Sequence, residues 1–125
     1  MTDQNKTLYE RLGGYDAIVA VADDLLPRLE SDTQLGRFWA NRGDDGIARE
    51  KQLLVDYLCT SAGGPMLYTG RDMLTSHKGM GITESDWTIL VDHLKATLTG
   101  FQVPQQEQDD VLAFIDSTRA DIVEA

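Results

Sequence analysis

Only one cysteine, Cys59, occurs in the 125 residues. A single thiol excludes an internal disulfide and a zinc site built on paired thiolates, and it fits a reducing compartment. Basic side chains are scarce: 11 Lys and Arg stand against 21 Asp and Glu, for a net charge of −10 at pH 7. Such a surface repels phosphate backbones and anionic lipid, so neither nucleic acid nor a membrane surface is an expected partner. No apolar run reaches membrane-spanning length, and the opening residues 1–7 are polar, without the apolar core of a signal peptide. The expectation is a cytoplasmic protein. No Asn-Gly or Asp-Gly turn lies between alternating apolar segments, so strands and hairpins are not expected. Phosphate-binding and dinucleotide fingerprints are missing, as is the G-x-S-x-G elbow of serine hydrolases. Imidazole comes from two residues alone, His77 and His93.

What remains is helical periodicity in a chain that is 42% apolar, of a length that suits one domain, residues 1–125. A short helix around Thr7–Leu12 stops at Gly13-Gly14. A second spans about Tyr15–Ser31, with Ile18, Val19, Val21, Ala22, Leu25, Leu26 and Leu29 along a wide stripe. Pro27 lies inside it and predicts a kink or an early end. A turn around Gln34–Ala40 carries Leu35, Phe38 and Trp39. The next helix covers about Asp45–Ser61 and ends before Gly63-Gly64-Pro65. From Met66 to Gly81 the pattern is irregular, with one short helix at Asp72–His77; such stretches often carry function. Thr83 and Asp86 have the spacing of a capping box for a helix ending near Gly100. Pro104 opens a last helix whose buried face includes Val111, Leu112, Phe114, Ile115 and Ile122. The fold class is all-α, with helices that cross rather than form a plain four-helix bundle.

The numerous carboxylates fall mostly on polar helix faces, where solvated charge is their ordinary role. His93 lies mid-helix between Val91 and Leu94 and reads as a half-buried structural histidine. His77 follows a short helix and is surrounded by Met73, Leu74, Met80 and Ile82. An imidazole against an apolar slot can bind a large apolar metal cofactor through one nitrogen. On chemistry alone, a surface or capping histidine near a helix end is the more frequent role.

Four segments change that balance by occurring together and in order. They are Tyr9-Glu10-Arg11-Leu12-Gly13-Gly14, Gly63-Gly64-Pro65, Tyr68-Thr69-Gly70-Arg71-Asp72-Met73 and His77-Lys78-Gly79-Met80-Gly81-Ile82-Thr83. With them the chain resembles the truncated, two-over-two haemoglobins of group I, from Leu8 to the last helix. The resemblance implies a two-over-two helical sandwich around haem b (iron protoporphyrin IX), with His77 as the proximal iron ligand. It implies a haem-contacting wall of Phe38, Trp39, Leu54, Leu58, Met73, Ile82, Trp87, Leu90 and Leu94. Arg71, Lys78 and Lys51 are the candidates to meet the propionates, which call for cations or donors.

The distal side departs from the family pattern. Many group I members carry a late tyrosine on the second helix; the matching position here is Leu26. Two registers exist for the following helix. Matching Lys51-Gln52 to the family's Lys-Gln puts Gln52 over the iron but leaves two extra residues before Gly63. Matching Val55-Asp56-Tyr57-Leu58 needs no insertion and puts Leu54 there, with Glu50 one turn earlier; this register is preferred. The function implied is reversible binding of O2, CO or NO. NO dioxygenation, with an electron-donating reductase as partner, and a six-coordinate redox or sensor protein are the alternatives. Lys51 is the residue that would serve as an internal sixth ligand.

Overall fold

The computed structural model describes residues 7–39, 43–64, 68, 70 and 73–124, and of Asp44 the backbone alone. Arg71, Pro65, Thr69 and Asp72, named above, lie outside the described residues. The helices are α1 (Leu8–Leu12), α2 (Tyr15–Ser31), α3 (Asp44–Ser61), α4 (Met73–His77), α5 (Glu84–Gly100), α6 (Gln105–Asp116) and α7 (Arg119–Ile122), with a 3-10 turn at Leu35–Trp39. No strand occurs among the described residues.

Local chemistry sets most of these boundaries. Thr7 caps α1 through a reciprocal box with Glu10, and Thr83 caps α5 through the same device with Asp86. Each satisfies two amides that a helix start leaves without partners. Gly64 allows the chain after α3 to press against α1. A Cβ on Gly64 would come within 2.5 Å of the Tyr9 ring, while the Tyr9 amide donates to the Ala62 carbonyl at 2.8 Å.

Pro27 does not end α2, which stays helical to Ser31. An interior proline costs about 3 kcal/mol. Leu25, Leu26 and Leu29 are all buried in the same turns, and each contributes roughly 1.5–3 kcal/mol. Pro27 itself faces solvent, so burial outweighs the lost amide. The last helix also differs from expectation. It breaks at Ser117–Thr118 into α6 and α7. The Thr118 hydroxyl donates to the Ile115 carbonyl at 2.6 Å, and the break lets Ile122 pack against Ile82 and Trp87.

α2 packs on α3 and on α5, α5 packs on α6, and α1 rests on α6 while α7 rests on α4. The main cluster joins Leu25, Leu26, Leu29 and Leu35 to Leu94, Leu98 and Val111. A second joins Ile18, Ala22, Val55, Leu58 and Cys59 between α2 and α3. The third, Ile82, Trp87 and Ile122, lies beside α4 and α7. Polar ties lock the crossings. The Arg11 guanidinium reaches Glu107 at 2.6 Å and Asp110 at 3.0 Å, and the buried Thr97 hydroxyl donates to Asp24 at 2.8 Å.

Candidate functional site

α4 is one and a half turns long, and its last residue is His77. Its first residue, Met73, packs against the Ile82, Trp87 and Ile122 cluster. The half-buried His77 ring donates from Nδ1 to the Met73 carbonyl at 2.9 Å, and Ser76 Oγ lies 2.9 Å from the same nitrogen. A carbonyl only accepts, so the proton is on Nδ1 and the lone pair on Nε2. This is the donor arrangement a metal-ligating histidine needs, since the second nitrogen's bond fixes ring tautomer and orientation. No group of three His, Cys, Asp or Glu side chains able to hold a bare metal ion occurs among the described residues. A ligand set of one imidazole suits an ion already held in a macrocycle.

Beyond Met73, which shares α4 with His77 and packs on the cluster beside α4, several apolar side chains stay half-buried. Phe38, Leu90 and Ile115 each pack against both the main cluster and the one beside α4, and Trp39 and Leu54 pack against the main cluster. Apolar walls that remain partly exposed are what a flat apolar cofactor requires. Phe38 and Trp39 meet edge to face at 6.4 Å between centroids. Ile82 and Trp87 are buried behind Met73. Leu58 and Leu94 are more deeply placed than the wall requires. Both are buried, and both line an apolar cavity of about 200 Å³ bounded also by Leu12, Val21, Leu98 and Phe114. Ile115 was not among the sequence candidates for this wall; its only signal was helical spacing from Val111.

On α3, Glu50, Leu54 and Leu58 follow one another at four-residue steps on one face. Leu54 packs against two clusters, and the Glu50 side chain is half-buried with Oε2 out of solvent. Leu26 is buried in the main cluster. Gln52 is turned outward and exposed, its amide donating to Asp56 at 3.0 Å and to the Tyr15 hydroxyl at 3.2 Å. Lys51 is held at 2.7 Å by Asp23 of α2. Lys78 is exposed beside His77.

A polar network that sequence reading did not assemble fixes Phe38. Arg37 spans the Asp86 carboxylate at 2.7 and 3.1 Å, and Gln34 donates to the same carboxylate at 2.6 Å. The Arg37 guanidinium also stacks 4.2 Å over the Phe38 ring, an attractive cation–π geometry. Asp86 is only 2% exposed, and Arg37, followed by its other donors, holds its carboxyl well below the ordinary range despite burial. Asp86→Ala removes a cap worth ~1 kcal/mol and charge-assisted bonds worth ~1.5–3 kcal/mol. A loss of roughly 2–4 kcal/mol in urea unfolding is expected from those terms, and a change below about 1 kcal/mol would contradict the network's role.

His93 is structural. It donates from Nε2 to Asp32 at 2.8 Å, and the other Asp32 oxygen accepts the Gln34 and Leu35 amides at 2.8 and 3.0 Å. His93, then those amides, pull the Asp32 carboxyl down to about 2 from 3.8. A depressed carboxyl stabilises the fold above its unfolded pKa and loses that contribution as pH falls toward the folded value. Asp32→Asn should therefore lower the melting temperature at pH 6 and converge on the parent as pH falls from 3.8 to about 2. Parallel melting curves across that window, with a constant gap, would refute it.

Comparison with known proteins bears on the family and the fold. The model of the bacterial-like globin family matches residues 7–124. A group 1 truncated haemoglobin of Mycolicibacterium paratuberculosis is 31% identical over 109 residues, 87% of this chain and 78% of the relative. The crystal structure of truncated haemoglobin from Tetrahymena pyriformis in its Fe(III) form superimposes with a TM-score of 0.88 at 27% identity, covering 96% of this chain and 100% of that one. The 2/2 haemoglobin of Synechococcus sp. PCC 7002, in a cyanomet state with covalently attached haem, gives a TM-score of 0.85 at 26% identity, covering 94% and 98%.

Proposed function

The chain belongs to the bacterial-like globins, among the group 1 truncated haemoglobins, and from that premise we propose that it holds haem b through His77 Nε2 and reversibly binds a small diatomic ligand, O2, CO or NO. The observation that carries this reading is the Nδ1 bond from His77 to the Met73 carbonyl at 2.9 Å. It presents the opposite nitrogen as a free, oriented donor. Held there, haem would supply an iron centre able to take up a small exogenous ligand.

The chain's own residues do the rest. Phe38, Trp39, Leu54, Met73, Ile82, Trp87 and Leu90 exclude water and shelter the cofactor's apolar faces, with Leu58 and Leu94 packed behind. Of the sequence candidates among the described residues, Lys78 is exposed beside His77 and would approach a propionate, while Lys51 is committed to Asp23. Arg71 keeps its assignment to a propionate from the sequence resemblance alone. On the ligand side Leu26 and Leu54 offer no hydrogen-bond donor, and an ionised Glu50 would only accept. Such a pocket favours CO and NO over O2. NO dioxygenation, which needs O2 held firmly and a reductase, gains no support from these side chains. Internal ligation by Lys51 would cost its Asp23 ion pair.

Hemin reconstitution followed by absorption and resonance Raman spectra of the ferric, ferrous and CO forms tests the proposal. A five-coordinate ferrous form with an iron–imidazole band is expected. Protein that stays colourless after gel filtration would reject it.

A further inference from the structure

The loop after His77 makes an anion-binding hollow. Gly79 and Gly81 both have positive φ, +85° and +70°. Successive amides in such a run of alternating backbone handedness converge on one point, a concavity suited to an anion. Glu124, far along the chain, fills it: Oε2 accepts the Gly79 amide at 2.9 Å and Oε1 the Gly81 amide at 2.7 Å. The Glu124 amide donates to the Ile82 carbonyl at 2.8 Å, so the residue grips the loop from both its backbone and its side chain. Those two amides, with the Lys78 charge, hold the Glu124 carboxyl below its ordinary value.

We propose that Glu124 is a positioning residue for His77: its carboxylate, clamped across the Gly79 and Gly81 amides, fixes the loop that carries the imidazole and so sets the iron–histidine bond. The inference rests on His77 being the iron ligand. α4 has five residues, too few for a helix to be stable by itself. Its position must come from outside. Before His77 that support is Met73, half-buried and packed against Ile122 and its neighbours; after His77 it is Glu124. Both supports come from the same C-terminal segment.

The test uses the haem-loaded protein. Glu124→Gln keeps the side chain's size but replaces one acceptor oxygen with a donor group that opposes a glycine amide. Losses in the outer shell of a metal site commonly cost ~10–100-fold in affinity. For this one, roughly tenfold faster haem transfer to apomyoglobin is expected, with a shifted or broadened ferrous iron–imidazole band and faster hydrogen exchange at Gly79 and Gly81. Arg119→Ala is the control for simple tethering. It breaks the ion pair of Arg119 with Glu84, which also holds α7, without touching the loop, and it should leave the iron–imidazole band in place. The clamp is refuted when Glu124→Gln speeds exchange but leaves the band and haem transfer at parent values. It is equally refuted when Arg119→Ala moves the band as far as Glu124→Gln does. His77→Ala separates the two readings. A parent-like band in that variant removes the His77 assignment itself, whereas its loss beside an unaltered Glu124→Gln band removes only the clamp.

Discussion

Replacing His77 with glycine should leave a helical protein that takes up hemin weakly, lacks the ferrous iron–imidazole band and recovers it when free imidazole is added. The reasoning starts from the ligand count. Of the two imidazoles, His93 is committed through Nε2 to Asp32, whereas the His77 ring is bonded through Nδ1 to the Met73 carbonyl and Ser76, which leaves Nε2 as the proposed donor. Losing the ligand must cost more than the ~10–100-fold typical of losing an outer-shell partner. Haem binds the native state and not the unfolded chain, so its affinity is also stability. A hundredfold weaker complex forfeits about 2.7 kcal/mol of haem-dependent stability. The melting temperature of the loaded variant should accordingly fall toward that of the haem-free protein. The haem-free variant should melt close to the haem-free parent, since the His77 side chain is half-buried and its Nδ1 bonds run to Ser76 and Met73 of its own helix. An unchanged band and an unchanged loaded melting temperature in His77→Gly would end the assignment.

Local signals in the sequence carried the fold as far as local physics does. The span of α2, the Thr83–Asp86 box and the end of α5 at Gly100 each depend on residues within a turn of one another. Pro27 does not end α2 because its cost is local while the burial of Leu25, Leu26 and Leu29 that outweighs it is tertiary. The split at Ser117–Thr118 was invisible for the same reason: it exists to carry Ile122 back to Ile82, forty residues earlier in the chain. The site divides along the same line. His77 stood out once its flanking glycines were taken with those near Gly13 and Gly64. The Arg37–Asp86 bridge, the Lys51–Asp23 pair and the Glu124 clamp join residues 49, 28 and 43 to 45 positions apart, and no spacing pattern announces them. Asp86 shows the limit most plainly: its spacing from Thr83 marks a capping box, and nothing in that spacing announces its burial beneath Arg37.

Introducing a hydroxyl on the ligand side should slow O2 release by ~10–100-fold, in line with tenfold per ~1.4 kcal/mol and a net hydrogen bond of ~0.5–1.5 kcal/mol that strengthens when the acceptor carries charge. Leu26→Tyr puts the hydroxyl where the family often has one, and Leu54→Gln offers an amide from α3. The two differ in structural cost. Leu26 is 7% exposed and packed among Leu25, Leu29, Leu35 and Leu94, so a larger ring there strains the core by ~1–3 kcal/mol. Leu54 is only half-buried, and glutamine nearly matches its length. Leu54→Gln should therefore retain the parent's melting temperature more closely while still slowing O2 release. CO gains much less from a donor than O2, because it carries little negative charge to receive one, so its release rate serves as the internal control. The variants should narrow the preference for CO over O2 by the same factor that the O2 rate falls. Stopped-flow displacement of O2 by CO measures both. O2 release rates that match the parent in both variants would mean that neither side chain faces the ligand, and the α2–α3 apolar face would have to be removed from the ligand pocket altogether.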